Sequence, residues 1–98
     1  MAEAVLDDLR GRIDLIDRQL LELLNERMKV SIEVVRAKRT MGKAVFDATR
    51  ELALLERLER QNSGPLSNEG LRHIYEAIIE ESRIRQALSS DHKASVAP

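Results

Sequence analysis

One apolar register runs through the first forty residues and limits what this chain can fold into more than any other feature. From Leu9 a 4-3 spacing passes through Leu9, Ile13, Ile16, Leu20, Leu23, Arg27, Val30, Val34 and Ala37, and every position except Arg27 is apolar. Alternating steps of four and three keep side chains on one stripe of an α-helix. No proline falls within residues 5–39, and Gly11, the one glycine there, lies near the start. The spacing predicts one long helix over that span, roughly 50 Å at about 1.5 Å per residue. A compact domain of 98 residues is only roughly 33 Å across. The helix outruns its own domain, and its seam would stand in water unless a second chain covered it. The expectation is a homodimer with this helix paired across the interface.

The remaining elements follow from punctuation. Thr40-Met41-Gly42-Lys43 breaks the pattern, and Asp47 is placed to cap a second helix that buries Leu54, Leu55 and Leu58 and fades near Gln61. Asn62-Ser63-Gly64-Pro65 is a stop, after which Ser67 caps a third helix, with Leu66 and Leu71 spaced as a hydrophobic staple. Leu71, Ile74, Tyr75, Ile78 and Ile79 carry that helix to about residue 88. The fold class is all-α: three helices with a very long first one, in an intertwined homodimer. Residues 1–90 form the domain, and residues 91–98, without periodicity, are expected to be a disordered tail.

Composition removes whole classes of function. Without cysteine there is no disulfide framework, thiolate metal site or cysteine nucleophile. Sixteen basic against seventeen acidic residues, a net charge of -1, oppose a general nucleic-acid binder, which needs a basic excess on one face. No run of eighteen apolar residues exists to span a membrane. The acidic start MAEAVLDDLRGR has no signal-peptide core, so the chain is expected to be cytoplasmic. His73 and His92 are too isolated for a metal site or an oriented general base, and there is no Gly-rich phosphate loop.

What remains is a set of side chains suited to a small dianion. Arg27 sits inside the apolar seam, where a guanidinium needs an anionic partner. Lys38, eleven residues on, lies only about 20° away around the helix. On the third helix Ser82 and Gln86 are one turn apart and extend the stripe of Leu71, Tyr75 and Ile78. Asp47, Arg50 and Glu51 fall within one turn at the start of the second helix. Each signal is weak singly, since long cations snorkel, helix ends drift polar and first turns carry caps.

Taken in order, these positions resemble the all-helical class of chorismate mutase. The resemblance is carried by Leu9-Arg10, Ile13, Asp17, Leu20-Leu21, Leu23-Leu24, Glu26-Arg27, Val34, Ala37-Lys38, Val45-x-Asp47-x-x-Arg50-Glu51 and Ile78-Ile79-Glu80-x-Ser82-x-x-x-Gln86. It spans about residues 6–88 and departs at Ala44, where relatives often have proline. It implies a homodimer with two active sites, no cofactor and no metal, converting chorismate to prephenate in phenylalanine and tyrosine biosynthesis. It further implies that Arg27, with Arg10 from the partner subunit, holds the substrate carboxylates, that Lys38 and Gln86 donate to the ether oxygen, and that Ser82 assists at a carboxylate. The resemblance implies too that Glu51 and Asp47 receive the ring hydroxyl and that Arg50 lies near the pocket. This domain often opens a longer prephenate dehydratase or dehydrogenase chain.

The chemistry is consistent with the residues. A [3,3] rearrangement is unimolecular and transfers no proton, so catalysis reduces to holding the reactive conformer and stabilising charge on the breaking ether. Two other readings fit parts of the pattern. An isochorismate-pyruvate lyase on this scaffold needs much the same dianion pocket, and a non-catalytic helical dimerisation domain needs only the seam.

Overall fold

Thr40 ends the first helix because the chain reverses there into a motif that needs glycine. In this computed structural model, which describes residues 1–96 and side chains through residue 89, α1 spans Ala2–Thr40, α2 spans Ala48–Gln61 and α3 spans Asn68–Val96. Among the described residues there is no strand. At the end of α1 the Gly42 N–H donates to Arg39 O at 3.1 Å and the Lys43 N–H to Lys38 O at 2.8 Å. That pair of bonds is a Schellman cap, which puts Gly42 in the left-handed region at φ 69°. A residue with a Cβ would be strained there.

The chain divides into two compact units, residues 1–30 and residues 31–98. The first is helix from Ala2 onward, and no residue in it is buried. Its apolar seam is open: Ile13 is 55% and Leu23 66% exposed. Arg27 and Met28 are half-buried.

The second unit closes a small core. Val35, at 1% exposure, is buried together with Leu55, Leu71 and Ile79, and the hydroxyl-bearing Ser82 is buried with them. Of the expected inward residues, Leu54, Leu58, Tyr75 and Ile78 are half-buried, while Ile74 is exposed. The helices α2 and α3 form an antiparallel hairpin. Two ion pairs span it, Glu59 with Arg72 near the turn and Glu51 with Arg83 at the far end.

Local chemistry explains both helix starts. Asp47 has extended backbone at φ -140°, and its Oδ1 accepts the Arg50 N–H at 3.0 Å, the N-cap bond expected. Ser67 Oγ accepts the Gly70 N–H at 2.9 Å. Between them Asn62 organises the turn: its Nδ2 donates to Leu66 O and Asn68 Oδ1, both at 2.8 Å, and its Oδ1 accepts the Gly64 N–H at 3.0 Å.

The third helix overruns its expected end. Its backbone continues from residue 88 to Val96, so the segment read as a tail without structure, 91–98, is helical up to that point. Ala97 and Pro98 lie outside the described residues. The seam stays open at its C-terminal end as well. Val34 is 40% exposed and Ala37 is exposed, while Val35 beside them is buried. The face of α1 that packs inside the second unit is therefore the stripe of Ser31, Val35 and Lys38, one position round from the 4-3 seam.

Candidate active site

Ser31, Val35 and Lys38 follow one another by four and three residues, so they share a face of α1. Val35 is the buried centre of that face, with Ser31 and Lys38 half-buried on either side. Along the axis the outer two are about 10.5 Å apart. Gln86 of α3 reaches this face directly, its Nε2 donating to Ser31 O at 2.9 Å. That bond decides which way the amide is turned, because only the NH2 end can donate to a carbonyl. One of its two N–H groups is used on Ser31, and the other is left to offer to a ligand.

One turn before Gln86, Ser82 is buried at 7% exposure, and its Oγ donates to Ile78 O at 3.0 Å. Back-bonding of this kind satisfies a hydroxyl inside a helix.

Lys38 sits at the last turn of α1, and its Nζ donates to Val45 O at 2.8 Å. An ammonium has three donors, so this bond ties the α1–α2 loop while leaving two. The next residues of that loop lead to the first turn of α2. Asp47 and Arg50 are exposed there, Asp47 capping the helix through Oδ1. Glu51, half-buried, is ion-paired through Oε2 to Arg83 Nη2.

Of the residues singled out from sequence, Lys38, Asp47, Arg50, Glu51, Ser82 and Gln86 all belong to the second unit. A hydrogen bond links Gln86 to the Lys38 face of α1, and an ion pair links Glu51 to the residue beside Ser82 on α3. Arg10 and Arg27 belong to the first unit. They are seventeen positions apart on one helix, which is roughly 26 Å along the axis and about 100° around it. Arg10 is exposed and Arg27 half-buried.

Sequence reasoning missed two participants. Ser31 contributes a backbone carbonyl, which has no side-chain signature, although extending the Lys38 face back by seven residues reaches it. Arg83 joins Glu51 to α3 and also lies over the Phe46 ring, 4.7 Å from its centroid. Its only local signal is Glu80 three residues earlier, which it meets at 3.3 Å.

Among the described residues no group of three His, Asp or Glu side chains is placed to hold a metal ion. Among them, too, no helix is long and apolar enough to cross a membrane.

Comparison with known proteins gives a consistent result. The family model described as chorismate mutase type II matches residues 9–87. A bifunctional chorismate mutase/prephenate dehydratase from Escherichia coli is 36% identical over 92 residues, covering 92% of this chain and 24% of that protein. One of the same description from Neisseria gonorrhoeae is 36% identical over 72 residues, 74% of this chain and 19% of its own length. The chain thus spans about a fifth to a quarter of the curated relatives it matches. A solved structure, chorismate mutase (form II) from Thermus thermophilus, superposes with a TM-score of 0.80 at 29% identity, covering 84% of this chain and 93% of that one.

Proposed function

The chain belongs to the chorismate mutase type II family, matched over residues 9–87, and on that premise we propose that it is an isomerase converting chorismate to prephenate for aromatic amino acid biosynthesis. The observation that carries the proposal is that the matched span contains every side chain given a role, from Arg10 to Gln86. The domain is read as ending near residue 90, just past the end of that span. A cytoplasmic location belongs to the same reading.

The reaction asks for no nucleophile, base or cofactor. It asks for one substrate conformer, with the enolpyruvyl group folded over the ring, and for positive charge where the ether bond breaks. In the proposed site Lys38 and the second N–H of Gln86 donate to the ether oxygen. Ser31 O and Val45 O pre-orient those two groups, so little reorganisation is needed as charge develops. Arg27 and Arg10 of a second chain hold the two carboxylates, which suits the guanidinium fork. Ser82 assists at a carboxylate, Glu51 and Asp47 accept the ring hydroxyl, and Arg50 adds positive charge at the mouth.

A homodimer is part of the proposal. No apolar side chain of residues 1–30 is fully buried within one chain. If both Arg10 and Arg27 contact one small substrate, a straight helix cannot supply both from the same molecule.

The test is a chorismate-disappearance assay on the purified 98-residue chain, with prephenate identified as product. Incubation with isochorismate, following pyruvate, runs beside it. Prephenate formation from chorismate supports the proposal; pyruvate release alone, or inertness toward both, defeats it.

A further inference from the structure

Arg83 takes no part in the contacts proposed for the substrate, yet it joins two elements of the proposed site. Its Nη2 donates to Glu51 Oε2 across the α2–α3 hairpin, and its Nη1 donates to Glu80 Oε2 at 3.3 Å. Its guanidinium carbon lies 4.7 Å from the centre of the Phe46 ring. A planar, delocalised cation can do both at once, with its edge toward carboxylates and its face on a ring. Phe46 is 59% exposed, so the ring is not fixed by burial in the core. The preceding residue, Val45, is held through its carbonyl by Lys38. Two cations, one from α1 and one from α3, thus grip adjacent residues of the loop that leads into Glu51.

We propose that Arg83 is a positioning residue of the mutase site, holding the Glu51 carboxylate and the Val45–Phe46 loop in the arrangement that receives the substrate's ring hydroxyl. The inference rests on the proposed function and deepens it. Electrostatics supplies the first reason: chorismate is a dianion, and a carboxylate facing it without a counter-charge would repel it. Arg83 cancels that charge from the side of α3. The second reason is conformational. A glutamate has several rotamers, and pairing at Oε2 selects one of them while Oε1 keeps its capacity to accept a hydroxyl. With the Arg83 side chain 41% exposed, the pair adds little to folding stability, so variants at Arg83 should fold.

The experiment uses the full chain with Arg83→Ala and Arg83→Lys. Because the hydroxyl contact is made alike in ground and transition states, Arg83→Ala should raise KM for chorismate about tenfold and change kcat by less than about twofold. Lysine restores the charge without the fork or the flat face, and should recover part of the loss, to about threefold. In a Glu51→Gln background Arg83→Ala should raise KM by less than it does in the parent, because only the Phe46 contact is left to lose; losses that multiply as independent terms overturn the proposal. A fall in kcat with KM unchanged overturns it too. In the substrate-free chain, amide hydrogen exchange across residues 43–47 should quicken in Arg83→Ala, and unchanged exchange defeats the loop-holding role. A parent chain inert toward chorismate defeats the functional reading instead, and the exchange measurement still decides whether Arg83 holds the loop.

Discussion

Residues 1–30 and residues 31–96 are both largely helical and both rich in leucine, isoleucine and valine, but they dispose of those side chains in opposite ways. The second region folds back on itself and buries Val35, Leu55, Leu71 and Ile79. The first has no such return, and Leu9, Ile13, Ile16, Leu20 and Leu23 are each at least 44% exposed. Apolar side chains on a helix are worth about 1.5–3 kcal/mol each when fully buried. A stripe of five exposed to this degree forgoes about half of that. The difference teaches that the second region is held by its own contacts, whereas the first gains little from its own, as the proposed dimer interface requires.

The largest expected effect comes from breaking the open stripe. Leu20→Asp changes a residue that is 50% exposed within one chain, and a surface change of that kind ordinarily costs under about 0.5 kcal/mol. If the stripe is a dimer interface, the same change buries two carboxylates near each other and should abolish both association and activity, a loss of at least about 100-fold. Sedimentation velocity at micromolar concentration checks it. A parent chain that sediments as a folded monomer, or a variant that stays fully active, removes the distinction between the two regions.

A second test asks whether the first region supplies a cation to a neighbour's site. Arg10→Ala and Arg27→Ala should each be nearly inactive, each having lost a charge-assisted contact to a carboxylate. Mixed in equal amounts with free exchange, half of the dimers are heterodimers, and each heterodimer rebuilds one complete site. About a quarter of parental sites should therefore return. No recovery despite demonstrated exchange would put both arginines in one chain's site, or Arg10 outside it.

The two regions also differed in how legible they were. The helices, the Gly42 break and the Asp47 and Ser67 caps could be read because each depends on a few neighbouring residues: a period, a backbone conformation, a side-chain oxygen three positions from an N–H. The stripe was legible for the same reason, since its spacing is a property of one helix. What escaped was tertiary. Val34 and Val35 are equally apolar, and only the position of α3 determines that Val35 turns inward with Ser31 and Lys38. Arg83 next to Ser82 looks like any solvated helix charge until α2 brings Glu51 beside it. The end of α3 was missed because its last residues lack an apolar period, and a helix can continue without one.

Gln86 sharpens the comparison from the side of the closed region, where a neutral donor sits in a fixed geometry. The parent rate should be nearly flat from about pH 5 to 8, because an amide does not titrate. In Gln86→Glu the new side chain donates to the ether oxygen only when protonated. An ordinary glutamate loses its proton near about pH 4.3. Activity should then be highest in acid and fall as pH rises, by at least about tenfold by about pH 7.5, since the ionised form repels the developing negative charge. A variant with the parent's pH profile contradicts the donor role.

The smallest expected effect separates two tasks assigned to one residue of the closed region. Asp47 caps α2 through Oδ1, accepting the Arg50 N–H at 3.0 Å, and is proposed to accept the substrate hydroxyl as well. Asparagine caps helices about as well as aspartate, whereas alanine costs about 1 kcal/mol. Asp47→Asn should therefore melt within about 2 °C of the parent, and Asp47→Ala several degrees lower, as about 1 kcal/mol gives in a domain near this size. Its charge lies beside the positive end of the α2 dipole, so asparagine gives up a few tenths of a kcal/mol that raised salt should erase. For the substrate the order is different: an amide oxygen accepts a hydroxyl without repelling a dianion, so Asp47→Asn should leave KM within about twofold, while Asp47→Ala should raise it about three- to fivefold. Equal melting temperatures for the two variants would show that the cap contributes nothing to α2, and equal KM values would show that the hydroxyl is received by Glu51 alone.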